Sequence, residues 1–272
     1  MIIAGAVVQG TGHLAAGLGC QDAFKAVDLG ATAVLAVADG AGGRERSALG
    51  AHIAVDTACR VLAEDIPDAD DPPEVWTRWT VAGGARVVAD YLRAVEGVLK
   101  ATAPSEPVEA GALAATMVAA VVRPPWAAFV SVGDCFGTVL TRGPAGTGNA
   151  QREGERCHLV LPPPAPGTPG PVFLSSPGAA LRVRTFVVWE PELSGVVLAT
   201  DGCAALTLDH PSARELPPQA GPLPSERFFC GLAATLRANG GDAAPLRALL
   251  SGPQAARTGD DLTVLCALTE GS

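Results

Sequence analysis

The chain has 272 residues, 48% of them hydrophobic and only 17% charged, which makes it globular with ample material for a buried core. Its net charge of −9, with no Lys/Arg cluster, argues against nucleic acid or an anionic membrane as the main partner, because both attract basic surfaces. The 32 Gly and 23 Pro follow no period, so they mark turns rather than a collagen-like or low-complexity segment.

In chain order, "IIAGAVVQG" reads as a first strand and "DAFKAVDL" as a second. "TAVLAVADG" reads as a third, buried on both faces because its apolar run is nearly continuous. From Ser47 to Leu62 the residues Ala51, Val55, Ala58 and Leu62 recur at helical spacing, and Val88, Tyr91, Leu92, Val95 and Leu99 repeat the pattern in a longer helix. "TMVAAVV", "AAFVSVG" and "GTVLTR" follow as an expected antiparallel meander, with Pro124-Pro125 and Gly133-Asp134 as its turns. Residues 143–171, including "LPPPAPGTPGP", carry enough breakers to read as a surface excursion. "RVRTFVVWE" and "GVVLATDG" resume the strand pattern, residues 226–250 hold two short helical candidates split by "NGGD", and "DDLTVLCAL" closes the chain as a strand. Blocks of strands alternating with blocks of helices predict an α+β fold, and no linker divides residues 1–272, which are expected to form one domain.

Seven cysteines, odd in number and without a Cys-x-x-Cys pair, fit neither a zinc knuckle nor a full disulfide framework, so a reducing compartment is expected. The first twenty residues lack the basic start of a leader segment. The longest apolar run, "ALAATMVAAVV", falls short of the roughly 18 residues that a membrane span needs. The expectation is a cytoplasmic protein that engages neither nucleic acid nor membrane.

The chemistry lies in carboxylates at strand ends. "AVADGAGG" sets Asp39 after a buried strand, "VSVGDCFG" sets Asp134 in a tight turn, "VVLATDGCA" sets Asp201 after a strand, and "TGDDLTVL" sets Asp260 and Asp261 before one. Each alone is an ordinary turn or cap signal. If these strand ends converge, several carboxylates come within a few ångströms, and like charges about 4 Å apart repel by about 1 kcal/mol in water and by several in a less polar site. Such a group needs cations or raised pKa values. The four His residues offer no zinc-like pairing, whereas Asp and backbone carbonyl oxygens suit Mg2+ or Mn2+.

At this point "CQDAF", "AVADGAGG", "SVGDC", "LATDG" and "GDDLTVL", in that order and separation, resemble the motifs of the metal-dependent protein serine/threonine phosphatases of type 2C, especially the bacterial branch. The resemblance spans residues 5 to 268. It implies a four-layer α-β-β-α sandwich of two antiparallel sheets flanked by helices, and hydrolysis of phosphoserine and phosphothreonine in proteins by a water bridging two ions. By similarity, Asp39 bridges the ions, Gly40 offers its carbonyl to one, Asp201 and Asp260 hold the other, Asp22 supports the second, and Asp134 helps hold a weaker third. The catalytic set implied is Asp39, Asp201 and Asp260, with Mn2+ or Mg2+ as cofactor and a phosphoprotein, the product of an opposing serine/threonine kinase, as partner.

The chain departs from that family at two places. An Arg that anchors the substrate phosphate usually lies five residues before the position of Asp22; here that residue is Gly17. His13 is a nearby donor and the candidate substrate-binding residue, with a structural role as the alternative. The His that eukaryotic members carry after the metal-binding Asp-Gly is Ala41 here. No Lys follows "GAGG", so a P-loop is disfavoured. Arg44 and Arg46 read as either substrate-facing or solvated, Thr116 as either site-lining or core, and Cys135 and Cys203 as small buried fillers as readily as site residues. Two other readings stay open: a pseudophosphatase that binds a phosphorylated ligand without turnover, which the absent Arg favours, and a two-metal nuclease, which the acidic balance disfavours.

Overall fold

The computed structural model describes residues 1–44, 46–102, 109–143, 154–164 and 170–270. The chain order is β1 (Ile2–Val8), α1 (Thr11–Ala15), β2 (Asp22–Asp28), β3 (Ala33–Gly40), α2 (Ser47–Leu62), α3 (Pro73–Thr102), β4 (Ala115–Arg123), β5 (Trp126–Val132), β6 (Phe136–Arg142), β7 (Glu155–Leu161), β8 (Arg184–Trp189) and β9 (Leu193–Ala199). It continues through α4 (Ala204–Thr207), β10 (Leu208–Asp209), β11 (Leu223–Pro224), α5 (Glu226–Ala238), α6 (Ala244–Leu250) and β12 (Leu262–Leu268). One antiparallel sheet runs β1-β12-β9-β6-β7, a second runs β2-β3-β4-β5-β8, and β10 and β11 form a small ribbon.

The period-2 alternation of the strands builds the layers. In β3, Val34, Ala36 and Ala38 face Ala54, Ala58 and Leu62 of α2, while Ala33, Leu35 and Val37 face the other sheet. In β12, Val264, Cys266 and Leu268 pack under Phe229 and Leu236 of α5 and Leu246 and Leu250 of α6, while Leu265 and Ala267 meet the first sheet's partner. Each fully buried Val, Leu or Phe contributes about 1.5–3 kcal/mol, and three such cores stacked in series give the helix-sheet-sheet-helix sandwich. This is the architecture the sequence predicts. No helix among the described residues is long and apolar enough to cross a membrane.

Three expectations need correction. The meander does not hold: β4 and β5 pair as a hairpin, but β6 leaves for the other sheet and pairs with β9 and β7. All three strands are almost wholly buried, so their hydropathy carries no mark of which sheet each joins. The expected excursion at 143–171 contains β7, which pairs with β6; residues 144–153 and 165–169 lie outside the described residues. The stripe of the longer helix runs through Trp76, Thr80, Gly83, Gly84, Val87, Val88, Tyr91 and Val95, whereas Leu92 stays exposed.

The two long helices sit where they do because small residues permit close approach. A Cβ on Gly50 of α2 would lie 2.1 Å from the Leu113 carbonyl oxygen, in the turn whose carbonyl also accepts from the buried Tyr91 hydroxyl. Helix propensity alone favours Gly50→Ala by about 0.5–1 kcal/mol, but the fixed backbone contact decides the sign. Gly50→Ala is expected to destabilise by about 1–3 kcal/mol, the range for overpacking, in denaturant titration; a stabilised variant would refute the packing described.

Candidate active site

The antiparallel register assembles the site. β2 begins where β3 ends, so Asp22 lies directly opposite Asp39. Across β3, Asp39 faces Thr116 and Gly40 faces Ala115 at the start of β4. β5 ends at this same rim, because Val132 pairs with Met117, and Asp134 lies in the turn that carries the chain across to β6. From the other sheet, Asp201 follows the end of β9, and Asp260 and Asp261 precede β12, where Ala199 pairs with Val264. Four rims from two sheets thus meet at one end of the sandwich.

Side chains from one sheet lock onto the other. Asp22 is buried, and its Oδ2 accepts hydrogen bonds from Thr200 Oγ1 at 2.8 Å and Thr263 Oγ1 at 2.7 Å. These two threonines are themselves joined, Thr200 N donating to Thr263 O and Thr263 N to Thr200 Oγ1. In sequence their one mark is position, Thr200 beside Asp201 and Thr263 two residues after Asp261.

Close backbone approach needs glycine at three points. A Cβ on Gly40 would lie 2.6 Å from the Ser47 carbonyl carbon and oxygen, and one on Gly202 would lie 2.2 Å from Asp261 O. Gly133, with φ +98, has Thr116 Cγ2 2.4 Å from where its Cβ would be. These contacts press the Asp39 turn onto the start of α2, the Asp201 turn onto Asp261 and the Asp134 turn onto Thr116 of β4.

The electrostatics follow from burial and like charge. Burial, then the charges of Asp22, Asp201 and Asp260, hold the Asp39 carboxyl well above the usual carboxylate range. Burial also raises Asp22, against the stabilising hydroxyls of Thr263 and Thr200. Asp201 is pushed up to about 6 by burial and by Asp134 and Asp260. Asp134 is raised by burial, and its Oδ1 is buried without a hydrogen-bond partner among the described residues. Also among the described residues, none of Asp22, Asp39, Asp134, Asp201 and Asp260 pairs with a Lys or Arg. As the side chains stand, no three His, Cys, Asp or Glu among the described residues enclose an ion: Asp201 Oδ1 accepts from Gly202 N at 3.0 Å and Asp260 Oδ1 from Asp261 N at 2.9 Å. The donor set nevertheless fits a hard divalent cation, being all oxygen, half-buried to buried and compensated only in part, by Arg184 acting on Asp134, with one carboxylate oxygen orphaned.

Asp261 has a different place. It is 1% exposed, and its Oδ1 accepts from Gly10 N at 2.7 Å while Oδ2 accepts from Gln21 N at 2.6 Å. Both ends of the segment that carries α1 are therefore pinned to one buried carboxylate. Inside that segment His13 Nδ1 lies 3.0 Å from Asp261 Oδ2, and its Nε2 lies 3.9 Å from Asp260 Oδ1 at the rim. Gly17 is exposed, with φ +69 and open space around it. Of the remaining candidates, Arg46 donates to Thr102 Oγ1, Thr116 Oγ1 stands 3.2 Å from Cys135 Sγ, and Cys135 and Cys203 are buried.

The family model for protein phosphatase 2C matches residues 9–251. No curated protein sequence matches the chain. Among solved structures, the serine/threonine phosphatase of S. agalactiae is 14% identical with a TM-score of 0.57, over 98% of this chain and 99% of that one. Stp1, a serine/threonine phosphatase from Staphylococcus aureus, is 12% identical with a TM-score of 0.54, over 100% and 96% of the two chains. RsbX in complex with magnesium is 16% identical with a TM-score of 0.50, over 98% and 96%. At such identities these likenesses speak for the fold, and it is the family match, laid over the converging aspartates, that places the chain in the protein phosphatase 2C family of metal-dependent serine/threonine protein phosphatases.

Proposed function

We propose that the chain hydrolyses phosphoserine and phosphothreonine in proteins at this carboxylate rim, with residues 1–272 acting as one catalytic domain. The observation that carries the reading is the gathering of Asp22, Asp39, Asp134 and Asp201 from two sheets with none of them ion-paired to Lys or Arg among the described residues, Arg184 acting on Asp134 only through space. Asp39, whose carboxyl feels Asp22, Asp201 and Asp260 together, is the residue that would be shared between the ions. Asp201 and Asp260 would hold one of them, the Gly40 carbonyl and Asp22 would support the other, and Asp134 would help hold a weaker third. Mn2+ or Mg2+ bound there would activate a water as nucleophile and offset the charge on the phosphoryl oxygens under attack.

The chain's own residues set the rest. Thr200 and Thr263 hold Asp22 in one orientation behind Asp39. His13, 18% exposed at the rim, donates to the substrate phosphate in place of the Arg that Gly17 replaces. Ala41 has no proton to give the departing oxygen, so that proton comes from water. The phosphoprotein substrate is the product of a serine/threonine kinase that the enzyme opposes in the cytoplasm. Gly17 also favours a second reading, a module that binds a phosphorylated ligand without turnover, and turnover separates the two.

With Mn2+ present, the protein is expected to hydrolyse p-nitrophenyl phosphate, and Asp39→Asn or Asp201→Asn to lower kcat by about two orders of magnitude or more, the scale on which transition-state charge stabilisation is lost. An inactive wild type would move the assignment to the binding module, and unchanged variants would sink the metal-site reading. His13→Ala is expected to raise KM by about tenfold or more, as for a charge-assisted hydrogen bond of about 1.5–3 kcal/mol; an unaltered KM would remove His13 from substrate binding.

Stability should carry the same signature. A carboxylate whose pKa is higher in the folded than in the unfolded chain binds more protons when folded, so stability falls as pH rises from the unfolded value near 4 to the folded one. For Asp201 that window closes near 6, and for Asp22 and Asp39 it lies higher. In chelator, the melting temperature is expected to fall between pH 4.5 and 8, with a shallower fall for Asp39→Asn and a Mn2+-induced gain that grows with pH. A melting temperature that rises over this range in chelator would contradict the buried-charge account.

A further inference from the structure

The turn that carries Asp134 is held by an arginine. Arg184 opens β8 directly opposite Ser131 of β5, and its half-buried side chain reaches three acceptors. Nη2 donates to Ser131 Oγ at 3.1 Å and to Gly133 O at 3.0 Å, and Nη1 donates to Pro162 O at 2.8 Å. The end of β5, the β5–β6 turn and the segment that follows β7 are thereby tied to one planar fork. Gly133, with φ +98 and Thr116 Cγ2 only 2.4 Å from where its Cβ would be, leaves that turn little room to swing away.

All three acceptors are neutral, two carbonyls and a hydroxyl, so they satisfy the donors of Arg184 without cancelling its charge. A guanidinium stays protonated throughout the working pH range. A permanent positive charge therefore stands against the Asp134 turn, and among the described residues no carboxylate pairs with it directly. Asp134 feels it through space: burial raises the Asp134 pKa, and Arg184 works in the opposite direction. The charged neighbours that act most on Asp39 and Asp201 are, by contrast, carboxylates. The consequence for a cation follows from charge number. Arg184 favours the ionised carboxylate by one unit of charge but opposes a divalent ion by two, so at comparable separations the repulsion wins.

We propose that Arg184 is a positioning residue which fixes the Asp134 turn and, by its permanent charge, keeps an ion at Asp134 much weaker than those at Asp39, so that filling of that position follows the free concentration of Mn2+ or Mg2+. The inference rests on the metal-dependent reading of the carboxylate rim given above, and it assigns the weakness of the third ion to one side chain.

Titration of the purified full chain with Mn2+, counting bound ions from the electron paramagnetic resonance signal of the free ion, tests it without reference to turnover. The wild type is expected to bind two ions tightly and a further one weakly. Arg184→Gln, whose amide can still donate to Gly133 O but carries no charge, is expected to tighten the weak ion by about tenfold or more and leave the tight ones unmoved. Arg184→Lys, which keeps the charge and loses the fork, is expected to leave the third ion as weak as before or weaker. Asp134→Asn added to Arg184→Gln should abolish the gain. A purely structural tie predicts the reverse, with both variants melting lower and the weak ion unchanged or lost. Should Arg184→Gln misfold, Arg184→Met removes the charge on an apolar stem and decides in the same way. A wild type that binds no Mn2+ removes the metal-site reading together with this one. Tight binding intact, with the weak ion unmoved or weakened once the charge is gone, or three equally tight ions in the wild type, overturns the role of Arg184 alone.

Discussion

The structure turns on one pair of residues, Asp22 and Asp39, set opposite each other across two neighbouring strands in a buried rim. Burial and mutual repulsion there disfavour ionisation of both carboxylates at once, which a nearby cation would relieve. The surrounding fold keeps them together. Thr200 and Thr263 reach from the other sheet to one oxygen of Asp22, so the contact that orients the carboxylate is also a tie between sheets. The tight glycine turns then bring Asp201 and Asp134 to the same place. Such a site has a standing electrostatic penalty, which on the proposed reading would become affinity for a divalent ion.

Asp261 shows how a neighbour of the site differs from a member of it. It is adjacent in sequence to Asp260, yet it is buried and fully engaged by Gly10 N and Gln21 N. Its work is to hold the segment from residue 10 to 21 against the rim, and thereby to place His13 beside Asp260. In the proposed function the substrate phosphate would therefore meet an imidazole carried by a short helix. A flexible cationic side chain at position 17 would have reached from solvent instead, and Gly17 with its positive φ ends that helix.

Much of this was legible beforehand. The strands from Ile2, Asp22, Ala33 and Leu262 and the helix at Ser47–Leu62 follow apolar periodicity, and acids at the ends of buried runs have few structural explanations when they recur. What escaped reading escaped for physical reasons. The crossover of β6 to the other sheet is invisible because β4, β5 and β6 are buried on both faces, so no alternation distinguishes inner from outer. The strand β7, from Glu155 to Leu161, alternates exposed Arg156 and His158 with buried Cys157, a pattern masked by the Pro and Gly around it. Helix α1 spans five residues, too short for a periodic signal. Thr200 and Thr263 are common strand residues, and only the register makes them partners of Asp22.

The central claim, that the rim carboxylates carry protons which a divalent ion displaces, is tested most directly by calorimetric titration of Mn2+ into the metal-free protein near neutral pH, repeated in buffers of different ionisation heat. Binding accompanied by proton release, and abolished or strongly weakened in Asp39→Asn, is the predicted result, since ligands must be deprotonated to hold a metal. Absence of Mn2+ binding, or binding that neither releases protons nor depends on Asp39, would contradict it.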